Sequence, residues 1–478
     1  MSRKKPHIIL IMTDQQRFDT VGAWGYDHMV TPNIDRIARE GVSFRQAYCP
    51  AATCVPSRAA TFTGRYPHTT GVYSFNPWAH HRSWVHDLAE NGYWCVSMGK
   101  MHLKPRDAHG GFQERVIVEN PTNKDLADGG ADDDWGRYLS FHGIERPNDR
   151  HIHDPDWLKK CQGVAWHEEE RFHSDVFIGH SAVTWIERYR GDSPVFLQVG
   201  FTGPHEPWDP LARHLAMYED KEVPPCAERI NELDGKPARH LRHLERHATT
   251  NHESRIDLRG RTREEIARMK RHYFAKITTV DEQIGRVLDA LENRGWLENS
   301  LLVFCSDHGE LLGDHGLAYK WLMYDPIVHV PLIVRYPGSV DRPGKSDELV
   351  SLIDVGPTVL EAAGVRVPPY FEGQSLMPLL RGEKVPARNH VFCEDDDQMM
   401  IRSRTHKLVY YIHEESGELY DLQEDPDELW NLWDEGKHRH VRDMMVSESF
   451  AWLAKSNFDT ADYKRIPECS TATARGTL

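Results

Sequence analysis

The stretch Cys54-Val55-Pro56-Ser57-Arg58 holds a thiol and a guanidinium with three residues between them. Proline is tolerated in the first turn of a helix, so we expect Cys54 to lie at a helix start. The free N–H groups and partial positive charge at such a start favour a tetrahedral anion. Cys54 is therefore a candidate nucleophile, with a buried structural thiol as the alternative.

Polar side chains follow four apolar runs of strand length that lie far apart in the chain. The runs cover residues 7–12, 94–98, 195–201 and 301–306, and they precede Asp14-Gln15, Lys100 and His102, His205, and Asp307-His308. In an open parallel sheet, ligands bind beyond the carboxyl ends of the strands. We therefore expect these residues to share one site.

Cys54–Arg58 is followed by Thr63-Gly64-Arg65, which completes a C-x-P-S-R…T-G-R pattern. On this pattern the chain resembles the formylglycine sulfatases of the alkaline phosphatase superfamily, and further motifs in the family's order extend the resemblance over roughly residues 7–435. The Asp-Gln and Asp-His pairs are more similar to the phosphonate monoester hydrolase and choline sulfatase branches. A tyrosine-phosphatase loop is disfavoured, because it needs five residues between Cys and Arg.

The resemblance implies that a formylglycine-generating enzyme oxidises Cys54 to an aldehyde. The aldehyde hydrates to a geminal diol, one hydroxyl of which attacks sulfur while the other helps to expel sulfate. Arg58 would stabilise the diol.

Three further motifs carry roles that the resemblance implies. They are G-K-x-H-L at Gly99–Leu103, P-H-x-P at Pro204–Pro207, and G-D-H-G followed by Lys320. Lys100 would contact the sulfate and His102 would act as base on the diol. His205 would be the general acid for the leaving alkoxide, and Lys320 would bridge sulfate and leaving group. Asn76 is a weaker candidate for a substrate contact.

Asp14, Gln15, Asp307 and His308, with the modified Cys54, are expected to hold one divalent metal ion. Oxygen and imidazole donors suit Ca²⁺ or Mn²⁺ and not a metal that prefers thiolates. The amide of Gln15 and the imidazole of His308 shift the expectation somewhat toward Mn²⁺. A pair of buried aspartates that only cap loops is the alternative.

The expected reaction is hydrolysis of a small-molecule sulfate monoester. A phosphonate monoester or phosphodiester hydrolase with the same nucleophile is the first alternative, and Lys100 with His102 favours sulfate. An anion-binding protein without activity is a different class, and it would predict the loss of site residues. The leaving group is left open.

The fold expected is α/β, with a doubly wound, mostly parallel central sheet in a catalytic domain at residues 1–380. A further strand is expected at 330–335, helices at 33–40, 263–293 and 351–363, and an insertion at 106–170. Short strands at 399–401, 407–412 and 418–422 indicate a small antiparallel α+β subdomain at residues 381–478.

Bulk composition excludes some classes of protein. Lys plus Arg is 58 and Asp plus Glu is 73, which gives a net charge of −15 and argues against a nucleic-acid partner. The sequence contains no run of 18 apolar residues, so no membrane span is predicted. The eight cysteines contain no C-x-x-C pair, which favours free thiols and a cytoplasmic location. A homo-oligomer is possible.

Overall fold

A computed structural model describes residues 5–119, 133–146, 159–161, 163–250, 255–340, 343–461 and 464 of the 478-residue chain. Its largest element is an eight-stranded sheet in the order β4-β3-β5-β1-β6-β7-β2-β8. The strands are β1 His7–Asp14, β2 Val42–Tyr48, β3 Trp94–Gly99, β4 Glu114–Ile117, β5 Val195–Pro204, β6 Ser300–Ser306, β7 Leu332–Arg335 and β8 Gly344–Ser351.

The strands of this sheet are parallel except β7, which runs antiparallel to both of its neighbours, β6 and β2. The centre of the sheet is the run β3-β5-β1-β6, in which each adjacent pair is parallel. These are the four strands whose ends the sequence marked with polar residues. The predicted mostly parallel α/β sheet is therefore confirmed.

Helices cover both faces of the large sheet, because its central strands are apolar on both sides. Ile8, Leu10 and Met12 of β1 face one core, and Ile9 and Ile11 face the other. The first core is covered by helices Cys54–Thr63, Trp84–Glu90 and Val355–Ala362, and the second by Pro32–Glu40, Ser174–Arg188 and Arg263–Asn293. The described residues also form helices at Pro67–Thr70, Asp134–Phe141, Ala212–Ala216, Ala238–Glu245, Asp325–Val328, Met377–Leu380 and Arg439–Asp459.

A separate antiparallel sheet follows, in the order β12-β11-β10-β9. Its strands are β9 Val391–Asp395, β10 Gln398–Arg402, β11 His406–Tyr411 and β12 Glu418–Asp421. Met445 of the C-terminal helix packs on Ile401, Leu408 and Leu419 to close a small core. Strand β9 faces the large sheet, contacting β2 and β8.

Several boundaries differ from those predicted. The predicted helix at 351–363 begins only at Val355, because Ser351 and Asp354 form a reciprocal capping box around a tight turn. The predicted insertion contributes β4 to the sheet edge, and β7 begins at Leu332 rather than Val330. The helix at Arg263–Asn293 matches its prediction, and Thr262 and Glu265 cap its start. The domain boundary at residue 380 stays a prediction.

Among the described residues, no helix has the length and apolar character needed to cross a membrane.

Candidate active site

The carboxyl ends of β3, β5, β1 and β6 bring the predicted site residues together. Asp14 closes β1, and Lys100, His205 and Asp307 directly follow the other three strands. Because these strands are neighbours in one parallel sheet, their ends deliver side chains to a single edge.

Cys54 is the first residue of a ten-residue helix whose residues are all buried. Ser57 donates to the backbone oxygen of Asp307 at 2.6 Å, and the Nε of Arg58 donates to its Oδ2 at 2.7 Å. These bonds fix the start of the Cys54 helix against the end of β6. Thr53, at the N-cap position, makes no side-chain bond to the helix.

Arg58, Lys100 and Asp14 form a buried network next to Cys54. Arg58 lies 3.1 Å from the Oδ2 of Asp14 and donates to the carbonyl of Lys100 at 2.8 Å. The Nζ of Lys100 lies 2.7 Å from the same Oδ2. Burial alone would raise the pKa of Asp14, but Lys100 and the other cations around it hold that pKa well below its usual range.

Three cationic side chains interact with residue 54. Burial opposes the charged forms of Arg58, Lys100 and Lys320, but Cys54 and the nearby carboxylates raise the pKa of each. All three therefore stay cationic, and they lie close enough to residue 54 to stabilise an anion formed there.

Gln15 is held by three neighbours. Its Oε1 accepts from the Nζ of Lys320 at 2.6 Å, and its Nε2 donates to Glu206 at 2.9 Å and to Glu310. Burial and the proximity of Glu206 raise the pKa of Glu310 to about 7. A carboxylate in place of Gln15 would add a third acid to this cluster, whereas the amide donates to both glutamates.

Asp14, Asp307 and His308 each place a ligand atom within 4.8 Å of the others. In the described structure, Asp14 Oδ1 and His308 Nε2 are buried and make no hydrogen bond. The Nδ1 of His308 donates to the carbonyl of Gly309 at 2.8 Å. Because Nδ1 then carries the proton, Nε2 keeps its lone pair and can serve as a metal ligand. This donor set fits a divalent cation.

His102 lies at the end of β3 in an unusual backbone conformation. Gly99 precedes it with a φ of +99°, and a Cβ there would lie 2.1 Å from the carbonyl of Gly200. His102 has a φ of 58°, and its N–H donates to Glu119 at 2.8 Å. Burial and, next, Lys100 lower the pKa of His102 to about 3, so the ring is neutral.

His205 is fixed by its own loop and by the long helix Arg263–Asn293. Its Nδ1 lies 2.8 Å from the carbonyl of Glu206, and Lys276 donates to the His205 carbonyl at 3.1 Å. Burial and the nearby Lys320 and Lys100 lower the pKa of His205 to about 3, against the effect of Glu206. The free site therefore holds a neutral imidazole with a proton on Nδ1.

Asn76 is not in this cluster of contacts. Its side chain is exposed and accepts from the N–H of Ser74 at 3.1 Å, and its substrate contact stays a prediction. The sequence interpretation missed the two acids around Gln15. Their positions in the sequence were the available signal, since Glu206 is the variable residue of the P-H-x-P motif and Glu310 lies two residues after His308.

Comparison with known proteins defines the class. The family model "Sulfatase" matches residues 6–365, and that of the C-terminal part of N-sulphoglucosamine sulphohydrolase matches residues 313–453. The chain belongs to the sulfatase family, and the predicted class of enzyme, a sulfuric ester hydrolase, is confirmed.

The proteins similar to this chain include two sulfatases and a phosphonate monoester hydrolase. The chain is 28% identical to an arylsulfatase of Clostridium perfringens, covering 93% of this chain and 94% of the relative. It is 29% identical to a choline-sulfatase of Rhizobium meliloti, covering 90% and 83%. The solved phosphonate monoester hydrolase of Agrobacterium radiobacter superposes with a TM-score of 0.83 at 25% identity, covering 95% of this chain and 96% of that one. These similarities bear out the resemblance to both branches.

Proposed function

We propose that the protein hydrolyses a small-molecule sulfate monoester to an alcohol and inorganic sulfate, with formylglycine made from Cys54 as the nucleophile. The observation that carries this proposal is the position of residue 54 at a helix start, beside Arg58, Lys100 and Lys320. A sulfate ester and its transition state are anionic, and buried cations fixed in advance stabilise them without reorganisation. The aldehyde hydrate would supply a nucleophile that can release sulfate.

A divalent metal ion would be held by Asp14, Asp307 and His308, with the amide oxygen of Gln15 as a fourth donor. The support is the pair of buried atoms without hydrogen bonds, Asp14 Oδ1 and His308 Nε2. Lys320 uses one lone pair of Gln15 Oε1, and the other is available to a cation. Such a metal, when bound, would lower the pKa of the nucleophile and act as a Lewis acid toward the ester. We infer Ca²⁺ or Mn²⁺, since the donors are oxygens and one imidazole.

The two histidines would move protons at different steps of the reaction. His102 is neutral in the free site and its Nδ1 makes no hydrogen bond in the described structure, so it can accept a proton from the diol. His205 would protonate the leaving oxygen through Nε2, since Nδ1 is bonded to the Glu206 carbonyl. To act as an acid, His205 needs a second proton on Nε2. A bound anionic ester favours that protonation because its negative charge stabilises the imidazolium.

Phosphonate monoester hydrolysis is the second candidate. The superposition on the phosphonate monoester hydrolase favours it. The sequence pairs Asp14-Gln15 and Asp307-His308 favour it as well, because they resemble that branch. Lys100 and His102 favour sulfate by resemblance, and sulfate and phosphonate esters share tetrahedral geometry at the reacting centre.

The test is to compare kcat/KM for 4-nitrophenyl sulfate and 4-nitrophenyl phenylphosphonate on enzyme matured with the formylglycine-generating system. A ratio of a hundred or more in favour of sulfate supports the proposal. The reverse ratio moves the protein to the phosphonate branch, and no turnover of either ester contradicts both. The maturation enzyme, the cytoplasmic location and any homo-oligomer stay predictions.

A further inference from the structure

The hairpin of β9 and β10 in the C-terminal sheet contacts the chain on both sides of the Cys54 helix. The N–H of Glu394 donates to the carbonyl of Pro50, and the N–H of Asp396 donates to the carbonyl of Tyr73, each at 2.9 Å. The segments before and after the nucleophile helix are therefore attached to an element that lies outside the sheet carrying the other site residues.

Thr53, immediately before Cys54, has an unusual hydrogen bond for an N-cap residue. A threonine in this position normally accepts a hydrogen bond from an N–H of the first helical turn. Here the Thr53 hydroxyl donates to the Oδ2 of Asp395 at 2.6 Å, and no side-chain cap is formed. Both residues are buried. The bond directs the hydroxyl away from the first helical turn. Pro56 has no N–H, and the Ser57 N–H donates to the Thr53 carbonyl. The N–H groups of Cys54 and Val55 are therefore the ones that could meet an anion at the helix start.

A second contact from the hairpin reaches the segment that carries Lys320. The Nε2 of Gln398 donates to the carbonyl of Trp321 at 2.9 Å, and Gln398 is buried. Tyr319 and Trp321 have φ values of 69° and 76°, a left-handed conformation that bulky residues rarely adopt. Such a conformation persists only where the surroundings hold it.

The contacts on the two sides of Lys320 come from different parts of the molecule. Glu310, close to the metal-site residues, accepts from the N–H of Tyr319, whereas Gln398 of β10 binds the far side. The N–H of Trp321 also donates to the carbonyl of Ala52 at 3.4 Å, so the Lys320 segment and the nucleophile segment contact each other. The hairpin thus binds both the segment before Cys54 and the segment that carries Lys320, and the proposed site depends on the relative position of these two segments.

We propose that Asp395 and Gln398 are positioning residues, with Asp395 setting the start of the nucleophile helix through Thr53 and Gln398 setting Lys320 through Trp321. This inference rests on the proposed function, since it concerns the geometry of that site. It assigns the C-terminal sheet a part in turnover although none of its residues belongs to the catalytic set.

The experiment is a double-mutant cycle between Thr53→Val and Asp395→Ala in the full-length, matured enzyme. Thr53→Val removes the hydroxyl and keeps the shape of the side chain. The matched control is Thr63→Val, since Thr63 is buried in the same helix but donates to the carbonyl of Ala59. Mass spectrometry gives the formylglycine content of each variant, so that kcat is expressed per modified site.

We expect Thr53→Val and Asp395→Ala each to lower kcat about tenfold with KM within about twofold, and the double variant to lose no more than either single one. Thr53→Ser should restore most of kcat, and Thr63→Val should keep it within twofold even if its melting temperature falls. Gln398→Ala should lower kcat, whereas Gln423→Ala, at an exposed position of the same subdomain, should not.

Wild-type kcat in Thr53→Val, or independent losses that multiply in the double variant, would overturn the role of Asp395. Equal losses of kcat in Thr53→Val and Thr63→Val would mean that the bond between Thr53 and Asp395 acts only through the general stability of the protein. Turnover of neither ester by the wild-type enzyme would overturn the proposed function and with it this inference, so the two failures are told apart by the wild type alone.

Discussion

Two of the regions in the described structure that bury polar and charged groups satisfy them differently. At the carboxyl edge of the large sheet, Asp14 Oδ1, His308 Nε2 and His102 Nδ1 make no hydrogen bond within the described residues. Where the C-terminal subdomain meets the large sheet, His68 bonds Glu394 at 2.8 Å and Ser456 at 2.6 Å through its two ring nitrogens. There the Nζ of Lys407 lies 2.5 Å from both Asp325 and Glu428.

The difference separates a site prepared for a ligand from an interface in which the buried cations lie against carboxylates of the protein. A buried polar atom without a partner is costly, and a folded chain retains several in one place when a ligand supplies the missing contacts. The subdomain contact pairs its cations with its own carboxylates, so its charges act on stability. Variants at the sheet edge should therefore change turnover with little effect on folding. Variants of the charged groups that pair at the subdomain contact, such as His68 and Lys407, should do the reverse.

The largest expected effect is that of Cys54→Ala. Without the thiol no aldehyde forms, so kcat should fall by at least about 10⁴-fold, as for loss of other covalent nucleophiles. The melting temperature should stay close to that of the wild type. Cys95→Ala is the control, since Cys95 is also buried but lies within β3 and away from its site end. Substantial activity in Cys54→Ala would exclude the formylglycine mechanism.

Asp14→Asn should have the next largest effect, because Asp14 faces both the cations and the metal-site atoms. We expect kcat/KM to fall by about 10²-fold or more, since the loss of even an indirect contact to a metal ligand costs 10–100-fold. Metal content, measured by mass spectrometry of the purified protein, should fall with it. Chelation of the wild type should give the same loss, and adding Mn²⁺ or Ca²⁺ should reverse it only in the wild type.

The control for Asp14→Asn is Asp87→Asn, at a carboxylate that pairs with Arg82 away from the strand ends. Full metal content with lost activity in Asp14→Asn would mean that Asp14 acts only through Lys100 and Arg58. Chelation without effect on the wild type would contradict the metal site.

His205→Ala should have an effect that depends on the leaving group. A positioned general acid contributes about 10²–10⁴-fold when the leaving alkoxide needs a proton, and little when the leaving group is a good one. The loss should therefore be large for an alkyl sulfate and under about tenfold for 4-nitrophenyl sulfate. His413→Ala, at an exposed histidine, is the control. Equal losses on both esters would assign His205 to binding of the sulfate group instead.

The sequence predicted the edge of the large sheet well because the evidence was local. Each of the four central strands is a continuous apolar run, and the candidates Asp14, Lys100, His102, His205 and Asp307 lie within a few residues of the strand ends. Cys54, Arg58 and Lys320 were found by motif instead. The long helix was predictable for the same reason, since its apolar residues recur at helical spacing.

Contacts between distant segments were not predictable in this way. The bond from Thr53 to Asp395 joins residues 342 positions apart, and no periodicity in one segment indicates its partner in the other. Strand β9 was missed because its sequence, VFCED, mixes apolar and acidic residues. Its acids are buried because Glu394 and Asp395 find partners in the large domain.

The smallest effect on turnover, and a clear effect on stability, is expected for His68→Gln. Burial opposes the charged form of His68, but the nearby carboxylates of Glu372 and Glu394 outweigh it and raise the pKa from 6.5 to about 9. A raised pKa in the folded state stabilises the protein fully below the unfolded value of 6.5, and that stabilisation is lost as the pH rises through 9. The shift corresponds to at most about 3 kcal/mol.

The measurement is the free energy of unfolding at pH 6 and at pH 9.5, compared between wild type and His68→Gln. At pH 6 the free energy of unfolding of the wild type should exceed that of the variant. Most of this difference should be gone at pH 9.5, because the wild-type imidazole is then neutral, like the glutamine side chain of the variant. His413→Gln should show no such dependence, and kcat of His68→Gln should stay within about twofold of the wild type. A difference that grew with pH would mean that His68 is buried in its neutral form. A large loss of kcat at unchanged stability would break the distinction between the two regions.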